Sequence, residues 1–193
     1  MQPPISDPPA AGQQVALLLG RFARVAREMQ FSQGLNPAQW ESLRFMARAN
    51  RYSRSPGALA AYLGTTKGTA SQTLIVLEQK GLVERLRHGR DRRQVQIQLT
   101  PRGQKMLAKD PLAVIEKAAA CMSNELGGQV VKCLGVLMRD LKPHCASTEF
   151  GTCHGCGNCQ KSTPGAAATC RLTGDALSPA DQRLFCIHFA PLE

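Results

Sequence analysis

The sequence lacks an N-terminal basic region followed by an apolar run and a cleavage site, and no uninterrupted apolar stretch is long enough to cross a bilayer. The expectation is a cytoplasmic protein with no membrane partner. Also missing are a nucleotide-binding glycine motif, paired carboxylates in a recognisable setting and any second cofactor signature, so an enzymatic role is not expected. Acidic residues are scarce, 14 Asp and Glu against 24 Lys and Arg. Such a surplus of positive charge suits a polyanionic partner, nucleic acid first.

The surplus is uneven. Residues 1–143 hold 21 basic and 10 acidic side chains, a net of +11, and residues 144–193 hold three and four, a net of −1. The C-terminal segment is therefore not the phosphate-binding part. It carries five of the eight cysteines from Cys153 onward, and in a reducing compartment clustered thiols bind metal more often than they pair as disulfides.

Residues 1–11, rich in proline, read as a flexible arm. Leu18, Leu19, Phe22, Val25, Ala26 and Met29 recur at helical spacing and predict a first amphipathic helix over residues 15–30. Asn36-Pro37 and Ser55-Pro56 each combine a capping side chain with a proline at the first helical position, which starts a second helix running to Asn50 and a short third one ending at Leu63-Gly64. The second helix is expected to bury Trp40, Leu43 and Met46 or Ala47. Thr65 or Thr66 caps a fourth helix whose Ala70, Leu74 and Leu77 form its buried stripe. Two strands follow, residues 82–86 and 94–99, joined by a charged hairpin tip. Thr100-Pro101 opens a helical region reaching Lys142, in which Leu126, Val130, Cys133, Leu134, Leu137 and Leu141 trace a stripe fit to pack on a second subunit. Gly127-Gly128 argues for a break there.

Three helices, a short turn, a fourth helix and a basic hairpin make a winged helix-turn-helix, in which one helix enters the major groove and the wing follows the backbone or minor groove. The fold class is mainly α with a small β wing, dimerisation helices from both ends of residues 12–142, and a C-terminal metal-binding extension over 143–193. Opposite the buried stripe of the fourth helix stand Thr66, Lys67, Thr69, Ser71, Gln72 and Thr73, small and polar enough to reach base edges. Arg87, His88, Arg90, Arg92 and Arg93 crowd the wing as phosphate and minor-groove ligands. Taken singly, each feature is matched by a plain solvated face; their joint order is what points to duplex DNA.

The run LGTTKGTASQTLIVLEQKGLVERLRHGRDRRQVQIQLTPRGQKML over residues 63–107 resembles the central segment of MarR-family transcription regulators. The matching features are the recognition-helix end Leu77-Glu78-Gln79-Lys80-Gly81-Leu82-Val83, the wing Asp91-Arg92-Arg93, and Leu99-Thr100-Pro101-Arg102-Gly103. The resemblance implies a homodimer on a pseudo-palindromic operator, usually a repressor, with Arg92 as the wing-tip contact and Asp91 holding the wing. Small-molecule binding near the dimer helices is common in that family, and nothing in this sequence identifies a ligand.

The cysteines of the C-terminal segment carry separate chemistry. Cys153, Cys156 and Cys159 stand with two residues between neighbours, followed by Cys170 and Cys186, and Gly155 and Gly157 let the turn curl so that sulfurs converge. Three closely spaced thiols with a distant fourth resemble an iron–sulfur ligand set, a 4Fe-4S cluster before a 2Fe-2S one. Zinc is the alternative, with Cys153 and Cys156 as a half site, but the remaining spacing suits a second half site poorly. A bare thiol switch is a third possibility. Cys121 and Cys133 read as small core residues, Cys145 as a bystander, and His154 and His188 as hydrogen-bonding neighbours rather than ligands, while His144 carries no signal. The combined expectation is a regulator whose cluster senses redox state, oxygen, nitric oxide or iron; structural zinc in the same regulator, or a basic redox enzyme or electron carrier, are the alternatives.

Overall fold

A computed structural model describes residues 10–87, 95–145, 148–160 and 168–192. Helix α1 spans Ala11–Met29 and α2 Pro37–Arg48. The Asn36 side chain accepts from the Gln39 N–H at 2.9 Å and the Gln39 side chain from the Asn36 N–H, the reciprocal cap expected where Pro37 stands at the first helical position. Ser55 caps α3 (Pro56–Leu63), which ends on Gly64 in the left-handed region at φ 61°. Thr66, not Thr65, caps α4 (Lys67–Gln79), and α3 and α4 form the helix-turn-helix.

Strands β1 (Val83–Arg87) and β2 (Val95–Leu99) pair antiparallel, Val83 opposite Leu99 and Arg87 opposite Val95. Thr100 caps α5 (Pro101–Leu107), and its hydroxyl donates to the Gly81 carbonyl at 2.7 Å, fixing the exit of the wing against the end of α4. Gly103 lies against the backbone here: a Cβ at this position would sit 2.1 Å from the Leu82 carbonyl oxygen.

Trp40, Leu43, Phe45 and Met46 of α2, Ala58 and Leu59 of α3, Ala70, Leu74 and Leu77 of α4, and Leu82, Val83 and Ile97 of the wing make the core. Fully burying a leucine-sized side chain contributes about 1.5–3 kcal/mol, so the α4 stripe alone is a sizeable part of the stability. Ala47 is exposed; the turn that follows α2 brings Ala49 inside instead.

The C-terminal half of the helical region differs from the sequence expectation in one respect. The break falls between α6 (Ala113–Ala120) and α7 (Asn124–Leu141), where the Ser123 side chain accepts from the Leu126 N–H and restarts the helix. Helix α7 then runs unbroken through Gly127-Gly128, the Ser123 cap offsetting part of the propensity cost of the two glycines. Helices α1, α6 and α7 bury none of their own residues within this chain. Val15, Leu17, Leu18, Phe22 and Val25 on α1 and Leu126, Val130, Val131, Leu134 and Met138 on α7 are exposed, and so are Cys121 and Cys133, which are not core residues of the single chain. Among the described residues no helix is long and apolar enough to cross a membrane.

The C-terminal segment folds back onto α2 and α3. Phe185 donates its N–H to the Arg48 carbonyl at 2.6 Å and accepts from the Asn50 N–H at 2.9 Å, so it takes up backbone groups that the end of α2 leaves over. The Thr148 N–H reaches the Ala61 carbonyl at 2.9 Å. Phe150 stands edge-on to Phe45 at 5.3 Å and to Tyr62 at 5.5 Å, and Phe150 and Ile187 pack on the main core. Strands β3 (Cys159–Gln160), β4 (Ala168–Cys170) and β5 (Ala176–Leu177) form a small antiparallel sheet, followed by α8 (Pro179–Arg183).

Candidate nucleic-acid interface and thiol chamber

On α4 the side chains of Thr66, Lys67, Thr69 and Gln72 are exposed, whereas Ser71 and Thr73 are half-buried. The Thr73 hydroxyl is turned back on the helix, donating to the Thr69 carbonyl at 3.1 Å, so it is a weaker candidate for base contact than its neighbours. The side chain of Arg87 and the whole of His88, Arg90, Arg92 and Arg93 lie outside the described residues.

Beside α4 lies a groove that sequence reasoning missed. Arg51, Arg54, Lys67 and Arg85 line it together with Gln96 and the start of α3 at Ser55 to Gly57. Four cations from three separate elements meet there, with Asp175, Tyr52 and His188 closing its far side. The Arg51 guanidinium is held by the Tyr52 hydroxyl at 2.9 Å and the Ala176 carbonyl at 2.8 Å, and Arg85 pairs with Glu78 at 2.9 Å. The Ile97 N–H of β2 donates to the Arg54 carbonyl at 2.8 Å, so the loop before α3 runs along the wing strand. The signal for it in the sequence is the pair Arg51 and Arg54 just before the Ser55-Pro56 helix start.

The five cysteines Cys153, Cys156, Cys159, Cys170 and Cys186 line one small chamber. A short 3-10 turn over Cys153–Gly155 presents the first two thiols. Cys159 and Cys170 are direct partners across β3 and β4, and Cys186 bridges to Gly151. That bridge requires glycine, because a Cβ on residue 151 would lie 2.5 Å from the Phe189 ring. Asn158, Leu177, His188, Asn50 and Tyr52 complete the wall, the last two from the winged-helix part of the chain. The free space between these groups is about 10 Å³, room for about one water molecule. Among the described residues no group of three or more His, Cys, Asp or Glu side chains is placed to hold a metal ion.

All eight cysteines are free thiols. Burial, reinforced by the four neighbouring sulfurs, pushes the Cys153 thiol up to about 11. For Cys170 the largest single influence is also burial, which raises it, yet hydrogen bonds from Thr173 and Leu172 together outweigh it and hold the thiol below its ordinary range. Backbone N–H groups directed at a sulfur are the environment a thiolate ligand needs. Cys145 lies elsewhere, in a cleft of about 580 Å³ between the end of α7 and the C-terminal segment. His154 Nδ1 is 3.2 Å from the Gln182 carbonyl and does not line the chamber.

Residues 33–94 match the family model described as MarR family. Among solved structures the chain is similar to the transcriptional regulator PA3341, at 27% identity and a TM-score of 0.54, over 67% of this chain and 98% of that one. It shares its fold with Streptococcus pneumoniae FabT, solved in complex with DNA, at 24% identity and a TM-score of 0.55, over 69% of this chain and 99% of that one. A MarR family protein from Bacillus stearothermophilus is 18% identical with a TM-score of 0.54, over 68% of this chain and 92% of that one. No curated protein sequence matches the chain. The winged-helix part of this chain is thus similar to MarR-family regulators in sequence and in fold, and the chamber-forming cysteines lie beyond the residues that the family model matches.

Proposed function

We propose that this protein is a homodimeric, DNA-binding transcription regulator, a repressor at a pseudo-palindromic operator, whose binding is governed by an iron–sulfur centre held among Cys153, Cys156, Cys159, Cys170 and Cys186. The observation that carries the reading is the gathering of five thiols around one chamber whose wall includes Asn50 and Tyr52, next to the basic groove and α4.

The DNA-binding part rests on Lys67, Thr66, Thr69 and Gln72, exposed on α4, with Arg51, Arg54 and Arg85 alongside for phosphates. The wing cations Arg87, His88, Arg90, Arg92 and Arg93 extend this surface by sequence position. Dimerisation is supported by the long apolar faces of α1 and α7, which find no cover in one chain.

Donor chemistry favours a sulfide-containing centre. Five cysteines, three of them with two residues between neighbours and two far along the chain, suit a cluster that takes ligands at separate corners better than a zinc ion, which needs four ligands and usually two short half sites. When bound, such a centre supplies a group whose charge and integrity respond to redox state, oxygen, nitric oxide or iron supply. This chain's own residues do the rest: the N–H groups of Leu172 and Thr173 stabilise the Cys170 sulfur, and Phe185, Phe150 and Ile187 tie the chamber to α2 and α3.

The test is protein purified without air, assayed for iron, acid-labile sulfide and zinc, weighed in solution, and used to select duplexes from a random-sequence pool. Iron with sulfide, a mass twice 20.9 kDa and a selected sequence with dyad symmetry are expected. Stoichiometric zinc without sulfide would reject the sensor and leave a structural site; failure to enrich any duplex would reject the regulator.

A further inference from the structure

Where the winged-helix part meets the chamber, one side chain has incomplete hydrogen bonding. Asn50 is 1% exposed and lines the chamber. Its Oδ1 accepts from the Tyr52 N–H at 3.1 Å and from the Ser53 hydroxyl at 2.9 Å, while its Nδ2 has no partner. The orientation of the amide is determined: the Tyr52 N–H can only donate, so the atom it meets is oxygen and the other is NH₂. A buried amide donor left without an acceptor is rare in native proteins and marks a contact still to be made. The acceptors around this chamber are the sulfurs of Cys153, Cys156, Cys159, Cys170 and Cys186, beside the Asn158 amide, the His188 ring and the Tyr52 hydroxyl; of these, a sulfur is the group whose state a bound centre would change.

Resting on the reading of the chamber as an iron–sulfur site, we infer that Asn50 is the positioning residue that joins the centre to the DNA-reading unit: its Nδ2 donates to a sulfur of the bound centre while its Oδ1 holds the loop leading into α3. A neutral amide suits this place, since it stabilises negative sulfur without competing as a ligand. From Asn50 the connection continues through atoms already bonded. The Ser53 hydroxyl donates to Asn50 Oδ1 and accepts from the Ile187 N–H at 2.8 Å, next to Cys186. The Ser53 carbonyl accepts from the Ser55 N–H at 2.8 Å, and Ser55 caps α3. The intervening Arg54 carbonyl takes the Ile97 N–H of β2. One short loop therefore touches the chamber, the first helix of the helix-turn-helix and the wing, so a sulfur acceptor at Nδ2 favours one placement of all three.

Two variants test the inference. Asn50→Asp keeps an oxygen for Tyr52 and Ser53 but loses the amide donor, and Asn50→Leu loses the donor without adding charge. In variants that retain wild-type iron and sulfide, the midpoint potential of the centre is expected to fall, because hydrogen bonds to sulfur raise it. Loaded and chelator-stripped wild type should differ at least about fivefold in affinity for a duplex selected from a random pool, and the variants less than about twofold. A third measurement needs no variant: amide hydrogen exchange over residues 50–58 should be slower in loaded than in stripped wild type. Loaded variants with unchanged potential and unchanged affinity ratio overturn the inference alone, as does equal exchange in the two wild-type forms. Wild type that contains neither iron nor sulfide overturns it together with the reading on which it rests.

Discussion

Removing the Asp110 carboxylate should loosen the link between the reading head and the helices that follow it. Asp110, in the turn between α5 and α6, grips Arg44 of α2 with both oxygens: Arg44 Nε lies 2.6 Å from Oδ2 and Nη2 2.7 Å from Oδ1, with 12% and 19% of the two side chains exposed. Asp110 also accepts from the Leu112 N–H at 2.8 Å. Asp110→Ala thus deletes two charge-assisted bonds to Arg44 and the acceptor of the Leu112 N–H. Hydrogen bonds to charged groups contribute about 1.5–3 kcal/mol each, but Arg44 keeps Glu41 at 2.8 Å and Gln30 at 2.7 Å and is not stranded. The expected loss is therefore about 2–4 kcal/mol, below the sum of the deleted bonds. With a urea slope near 2 kcal/mol/M, the unfolding midpoint should drop by about 1–2 M. The difference is pH-dependent. Burial alone would raise the Asp110 carboxyl, yet the bonds from Arg44 and Leu112 and the charges of Arg44 and Arg48 hold it below the ordinary range. Its contribution is consequently present in full above about pH 3.9 and disappears as pH falls through the depressed value. Urea unfolding of both proteins at pH 7 and near pH 3 reads this directly; a gap that is under about 0.5 kcal/mol at pH 7, or that widens in acid, refutes the argument.

Gly103→Ala should cost about 2 kcal/mol despite the better helix propensity of alanine, since the new methyl group meets the Leu82 carbonyl oxygen at 2.1 Å and must push α5 off the wing; calorimetry should show melting lowered by about 4–8 °C, and an unchanged or raised melting temperature would contradict the packing. Lys67→Ala should weaken binding to a selected duplex and flatten the plot of log affinity against log salt by about 0.9 per protomer, one phosphate contact each. An identical salt slope would remove Lys67 from the interface.

What was legible in the sequence was local. Asn36-Pro37, Ser55-Pro56, Thr66 and Thr100-Pro101 each carry a cap within three residues of the helix they start, and the structure uses all four. The hairpin strands followed from alternation and agree to within a residue. The five cysteines were named from spacing, and all five line one chamber. Gly127-Gly128 points to an interrupted helical region, and the region is interrupted, but between α5 and α6 and before the Ser123 cap of α7, not at the glycines. What could not be read were contacts across long sequence distances. Phe185 against Arg48 and Asn50 and Phe150 against Phe45 and Tyr62 depend on how the segment after α7 returns to α2, and the groove shared by Arg51, Lys67 and Arg85 on how the loop before α3, α4 and the wing pack together. No periodicity records such a return.

The docking of Phe185 on the last turn of α2 also decides where this chain can be divided. A polypeptide ending at Pro143 would uncover one aromatic face of Phe45 and Tyr62, leave the Arg48 carbonyl and the Asn50 N–H to water, and deprive the Ser53 hydroxyl of its Ile187 donor. The cysteine-bearing segment therefore acts as a keystone of the helix-turn-helix, and evolutionary or laboratory shortening would have to rebuild that face before a free-standing DNA reader remained.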